Sequence, residues 1–113
     1  MKIQVTQAGD LTDAHIALIG DLDYEGGQLV RRELAREVKS GKVNLVIDLD
    51  GVGTLDSSGL AALIATLRLA RYGGGDVRVH SSQPHIRRVM ELTGLSRVFR
   101  LSPIGATQSA PAA

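Results

Sequence analysis

The chain contains no cysteine, and aromatic side chains make up only 3% of it. Without cysteine there can be no disulfide framework, no thiolate nucleophile and no thiolate-held metal. With so few aromatics the core must be aliphatic. The arginines lack regularly interleaved aromatics, so the stacking platforms of nucleic-acid binders are poorly supported and no nucleic-acid partner is expected. No apolar run approaches the ~20 residues of a membrane-spanning helix. The opening MKIQVTQAGD lacks the apolar region of a signal peptide. No membrane insertion and a cytoplasmic location are the expectation.

What is present describes a small globular protein. A length of 113 residues with 43% hydrophobic content suits one domain with a modest core. The net charge of +1 conceals an imbalance: residues 1–56 hold six Lys/Arg against ten Asp/Glu, and residues 57–113 hold seven Arg against two acids. Solvated charged faces account for this, and so does an acidic patch that meets a basic partner.

The stretch VNLVIDLDGVGTLDSSGLAALIATL, Val43 to Leu67, organises the chain. Val43, Leu45, Val46, Ile47 and Leu49 form an apolar, largely β-branched run, the pattern of a buried strand. Leu60, Leu63, Ile64 and Leu67 follow the i, i+3, i+4, i+7 spacing of an amphipathic helix and are expected to pack on the sheet. Between them DLDGVGTLDSSG reads as a loop. Upstream, Lys2–Gln7 and His15–Leu22 predict two strands forming a hairpin. Tyr24–Gly27 reads as a polar loop, and Gln28–Lys39 as a helix stopped by Gly41. Downstream, the helix from Ser57 runs to about Tyr72 and Gly73–Gly75 ends it. Val77–His80 predicts a strand, and Pro84 opens a helix carrying Ile86, Val89 and Met90 that Gly94 closes. Val98–Leu101 predicts a last strand. Residues 1–102 form the domain, and 103–113, rich in Pro, Gly and Ala, are expected to be a flexible tail. Alternating strands and helices after a hairpin predict an α/β fold with a mostly parallel sheet.

The junction before the second helix holds the candidate chemistry. Asp56 is placed to cap the helix, with Ser57 and Ser58 in its first turn, and Gly59 permits close approach of another group. Plain helix capping explains those residues. A serine hydrolase would need a G-x-S-x-G elbow, but no glycine stands two residues before Ser57 or Ser58, and nothing marks His15, His80 or His85 as a base. A P-loop fails because Gly53 and Gly59 are one residue too far apart and Leu60, not lysine, follows. Asp48, Asp50 and Asp56 are weak evidence for a metal site. No catalytic residue, metal or cofactor is expected. A phosphorylation switch fits better. A helix N-terminus tolerates an anion, while about −1.5 to −2 of added charge among Asp23, Asp50 and Asp56 would repel a docked partner.

These residues resemble the STAS-domain family, and within it the bacterial anti-sigma-factor antagonists. The resemblance rests on Gly20-Asp21-Leu22-Asp23, on Leu45–Leu49 followed by Leu55-Asp56-Ser57-Ser58-Gly59-Leu60, on Gly74-Gly75 before a strand, and on Leu92-Thr93-Gly94-Leu95. It implies a four- to five-stranded mixed sheet with helices mainly on one face. It also implies a protein that binds an anti-sigma factor with GHKL-type serine kinase activity and so releases a sigma factor, with a serine phosphatase as a further partner. The phosphoacceptor would be Ser57, and Asp21, Asp23, Thr54, Asp56, Ser58 and Gly59 would lie on the partner-binding surface. The helix that usually follows the last strand is expected to be reduced here, because residues 102–113 are short and rich in Gly, Pro and Ala. Stand-alone relatives in lipid-transport ABC complexes and stress-signalling assemblies are the alternative, and a serine at position 57 favours the kinase-regulated branch.

Overall fold

Side-chain alternation decides which side of the sheet is dry. In the computed structural model, which describes residues 1–101, Ala14, Ile16 and Leu18 are buried on one strand, Leu45, Ile47 and Leu49 on the next, and Val77 and Val79 on a third. Their neighbours His15, Ala17, Val46 and Arg78, on the opposite face, are half-buried. The elements, in chain order, are β1 (Lys2–Gln7), β2 (Asp13–Leu22), α1 (Tyr24–Lys39), β3 (Asn44–Leu55), α2 (Ser57–Tyr72), β4 (Asp76–His80), α3 (Pro84–Leu92), α4 (Leu95–Val98) and β5 (Arg100–Leu101).

The strands lie in the sheet in chain order, β1-β2-β3-β4-β5. β1 runs antiparallel to β2, and β2 to β5 are parallel. Every parallel connection therefore steps the same way across the sheet. Right-handed crossovers stepping one way leave their helices on one face. Val30 and Leu34 of α1, Ala62, Leu63 and Leu67 of α2, and Ile86 and Met90 of α3 accordingly join one core with the buried strand residues. Each fully buried Leu or Ile contributes ~1.5–3 kcal/mol relative to an exposed one. The mixed five-stranded sheet matches the expected fold.

Three expected boundaries differ. Tyr24–Gly27 is not a loop but the first turn of α1, because the Asp23 carboxylate caps the Gly26 N–H at 3.0 Å and the packed glycines override their poor helix propensity. β3 does not stop at Leu49 but continues through the glycines to Leu55. It does so by bulging twice. The register passes from Ala17↔Asp48 to Ile19↔Gly51 and from Gly20↔Val52 to Leu22↔Leu55, so two steps of β2 face three of β3 each time. Gly51 is required at the first bulge, since a Cβ there would stand 2.8 Å from the Leu18 carbonyl oxygen. Finally, Leu95–Val98 is a helical turn, with the Phe99 N–H on the Leu95 carbonyl at 2.8 Å, and only Arg100–Leu101 is strand. The expected tail at 103–113 and the reduced last helix lie outside the described residues.

The core-facing stripe of α2 is also rotated from the expected one. Ala62, Leu63, Thr66, Leu67 and Ala70 are buried, while Leu60 and Ile64 pack half-buried at its edge. Leu63→Ala should therefore cost about 2–5 kcal/mol in urea unfolding, and Ile64→Ala distinctly less. Equal losses at the two positions would place the buried stripe elsewhere.

Candidate functional site

Two strand ends deliver two helix starts side by side. Leu22 pairs with Leu55, and the next residue of each chain segment is a helix cap. Asp23 caps α1 through the Gly26 N–H, and Asp56 caps α2 through the Gly59 N–H, both at 3.0 Å. The two caps share an extended backbone. The Asp56 N–H donates to the Leu22 carbonyl oxygen at 3.3 Å, which ties the two junctions together. That carbonyl sits so close to α2 that a Cβ at Gly59 would collide with it. Only glycine lets the start of α2 rest on the end of β2.

Ser57 is the first residue of α2 and is exposed, while Ser58 is half-buried and Gly59 buried. Asp21 and Thr54 are exposed on the adjoining ends of β2 and β3, within the stretch where Gly20–Leu22 faces Val52–Leu55. The predicted residues Asp21, Asp23, Thr54, Asp56, Ser57, Ser58 and Gly59 thus come together on one end of the molecule. The exposed carboxylate of Glu25, in the first turn of α1, joins them. Aligned helix dipoles place partial positive charge here, each favouring an anion by ~0.3–1 kcal/mol.

Asp50 does not belong to this surface, contrary to expectation. The bulge commits it to the β4–α3 connection. Its Oδ1 accepts the Ser82 N–H at 2.6 Å and the Ser82 hydroxyl at 3.0 Å, and its Oδ2 lies 3.0 Å from His80 Nε2. Burial pushes the Asp50 carboxyl up, but the Ser82 hydrogen bonds and His80 outweigh it and hold it below the usual carboxylate value. Asp48, Asp50 and His80 bring one ligand atom each within 4.8 Å of one another, and Asp56 is not in the group. Both oxygens of Asp50 are hydrogen-bonded, and Asp48 Oδ1 accepts the Asp50 N–H at 2.9 Å. Hydrogen bonding accounts for the arrangement.

The sequence reading missed Gln83. Its Nε2 donates to the carbonyl oxygens of Leu49, Asp50 and Val52 at 3.1, 3.1 and 2.7 Å. His85 Nε2 lies 3.1 Å from the Gly53 carbonyl oxygen. Together they hold the bulged end of β3 that leads to Thr54 and Asp56. The signal was slight: a glutamine before Pro84 says nothing of a partner more than thirty residues upstream. His80 is thus engaged by Asp50 and His85 by the Gly53 carbonyl.

Residues 2–108 match the family model of the STAS domain. The chain is 24% identical over 102 residues to the anti-sigma-B factor antagonist of Bacillus subtilis, covering 90% of this chain and 93% of that one. It is 27% identical over 90 residues to an anti-sigma F factor antagonist of Paenibacillus polymyxa, covering 79% and 74%. Among solved structures it resembles the anti-sigma factor antagonist SpoIIAA in its unphosphorylated form, with a TM-score of 0.80 at 18% identity over 98% of this chain and 93% of that one. The phosphorylated form of SpoIIAA, from Bacillus, gives 0.74 at 18% identity over 98% and 96%. At that identity the likeness is one of fold.

The Asp50 network predicts a pH dependence. A carboxyl held below its unfolded value stabilises the fold above that value, and the contribution is lost as pH falls through the folded one. Stability should therefore drop as pH falls below about 4, and Asp50→Asn should flatten that drop while lowering stability at pH 7. Urea midpoints between pH 3 and 7 check this; equal slopes for the two proteins would contradict it.

Proposed function

The chain belongs to the STAS-domain family, and on that premise we propose that it is an anti-sigma-factor antagonist whose binding to an anti-sigma factor with serine kinase activity is switched off by phosphorylation of Ser57. The observation that carries this reading is the exposed Ser57 hydroxyl at the start of α2, set among Asp21, Asp23, Glu25 and Asp56. The named relatives are anti-sigma factor antagonists, which supports the class of partner. SpoIIAA exists in a phosphorylated form on the same fold, which supports the class of modification.

The physics of the switch is local. The hydroxyl is small and fits inside a protein interface. A phosphate there carries about −1.5 to −2 charges at pH 7. The helix start accepts it, so the fold survives. A docked partner would have to desolvate it beside several carboxylates, which is costly unless the charge is paired. Only ~1.4 kcal/mol of such cost gives a tenfold loss of affinity. A phosphatase acting on Ser57 would restore binding and close the cycle. No step requires a cofactor, and the chain acts by binding rather than by turnover. The rival role, as a subunit of a lipid-transport ABC complex or a stress-signalling assembly, would be favoured by co-purification with transporter subunits instead of a kinase. Among the described residues no helix is long and apolar enough to cross a membrane.

Calorimetric titration into the partner kinase tests the reading. Ser57→Asp should bind at least tenfold more weakly than wild type. Ser57→Ala should bind with or without ATP and resist phosphorylation. Ser58→Ala should still accept phosphate, more slowly. Equal affinities for Ser57→Asp and Ser57→Ala, with phosphate mapped to Ser58 or nowhere, would refute the switch. The purified chain should hydrolyse no ester, peptide or nucleotide; turnover abolished by Ser57→Ala would make it a hydrolase.

A further inference from the structure

Beside the acidic helix starts, the surface changes sign. An open groove of about 530 Å³ runs between α1 and α2, walled by Tyr24, Gln28, Arg31, Arg32, Ser58 and Ala61. Gly27 forms part of its lining and packs against the Ser58 carbonyl. No carboxylate lines it. Arg31 is exposed and makes no hydrogen bond or ion pair among the described residues. Arg32 Nε lies 3.8 Å from a Glu33 oxygen, an exposed pair of little energetic weight. Tyr24 is 65% exposed at the mouth of the groove.

We propose that this groove docks an acidic peptide segment of the same partner that meets Ser57, with Arg31 and Arg32 pairing its Asp or Glu side chains. The inference rests on the reading of the Ser57 end as a partner surface, and adds a second contact of opposite charge. Ser58 belongs to both regions: it follows the acceptor Ser57 in sequence and walls the groove. The groove therefore continues the proposed interface. Its charge selects an anion, because two guanidinium groups face it with no acid among the lining residues. Its shape and composition select a peptide over free phosphate, since Tyr24, Gly27 and Ala61 offer an aromatic and aliphatic surface for a chain to lie on. Tyr and Arg are also the residue types that most often dominate interface energies. A partner carrying basic residues for the helix starts and acidic ones for the groove would be held in a single register. Charge complementarity of this kind chiefly sets specificity and association rate.

The test compares wild type, Arg31→Glu, an Arg31→Ala/Arg32→Ala double variant and Ser57→Asp in binding to the purified anti-sigma kinase. Arg88→Glu, an exposed charge reversal on α3, controls for net charge. Arg31→Glu should lose at least tenfold in affinity and the double variant severalfold, with thermal unfolding unchanged, while Arg88→Glu binds like wild type. In parallel, amide spectra of the labelled full chain are followed during titration with a hexaglutamate peptide and with inorganic phosphate. Shifts around Tyr24–Arg32 and Ser58–Ala61 should appear with the peptide, exceed those with phosphate, and vanish in Arg31→Glu. If the Arg31 variants bind within twofold of wild type while Ser57→Asp does not, the groove is refuted and the switch stands. Matching shifts with phosphate would reduce the groove to a simple anion site and overturn the peptide assignment. If wild type fails to bind the kinase at all, the functional reading falls and the docking partner with it.

Discussion

A sheet whose strands lie in chain order, joined by right-handed crossovers, has no choice about where its helices go. They fall on one face, and α1, α2 and α3 each begin beyond the carboxyl end of a strand. Here that constraint sets the start of α1 next to the start of α2, because β2 and β3 are neighbours and end in register at Leu22 and Leu55. Asp23 and Asp56 then occupy equivalent places, and Ser57 projects from the end they share. The site follows from strand order, and no dedicated loop is needed to build it.

What strand order does not supply is rigidity at the carboxyl end of β3. β4 pairs with β3 only as far as Asp48, so on that side the rest of β3 has no neighbouring strand to satisfy its backbone groups. Gln83 meets three of them with one amide, His85 meets a fourth, and Asp50 bonds back to Ser82 and His80. The β4–α3 connection thereby braces the strand that presents Asp56 and Ser57. Stability and the presentation of Ser57 are coupled through this polar network, whereas the aliphatic core under α1 and α2 sets the fold.

Much of this was legible in the residues. The run Leu45–Leu49, the i, i+3, i+4, i+7 spacing from Leu60 to Leu67 and the capping pattern at Asp56 placed the third strand and the second helix, and with them Ser57 at the helix start. Two of the differing boundaries share a cause: glycines and acids read as loop signals where close packing demands them. Gly51 sits in a strand because Leu18 and Ile19 leave no room for a side chain, and Gly26–Gly27 sit in a helix that Asp23 caps. Asp50 was grouped with Asp23 and Asp56 because the first bulge, which turns it toward His80, is a matter of pairing register that a single strand's sequence does not encode. Gln83 was invisible for the same reason: its role exists only across a distance in sequence. The basic groove escaped notice because Arg31 and Arg32 lie in an acidic half of the chain, and net charge averages over faces.

Phosphorylation of Ser57, as proposed, would change the charge of this surface without changing the fold. The most direct measurement is a comparison of amide spectra and hydrogen-exchange protection for the Ser57-phosphorylated and unmodified proteins. The account predicts shifts confined to the first turns of α1 and α2 and the adjoining ends of β2 and β3, with protection of the β2–β4 core unchanged. Shifts spread through the sheet, or a loss of core protection on phosphorylation, would contradict it.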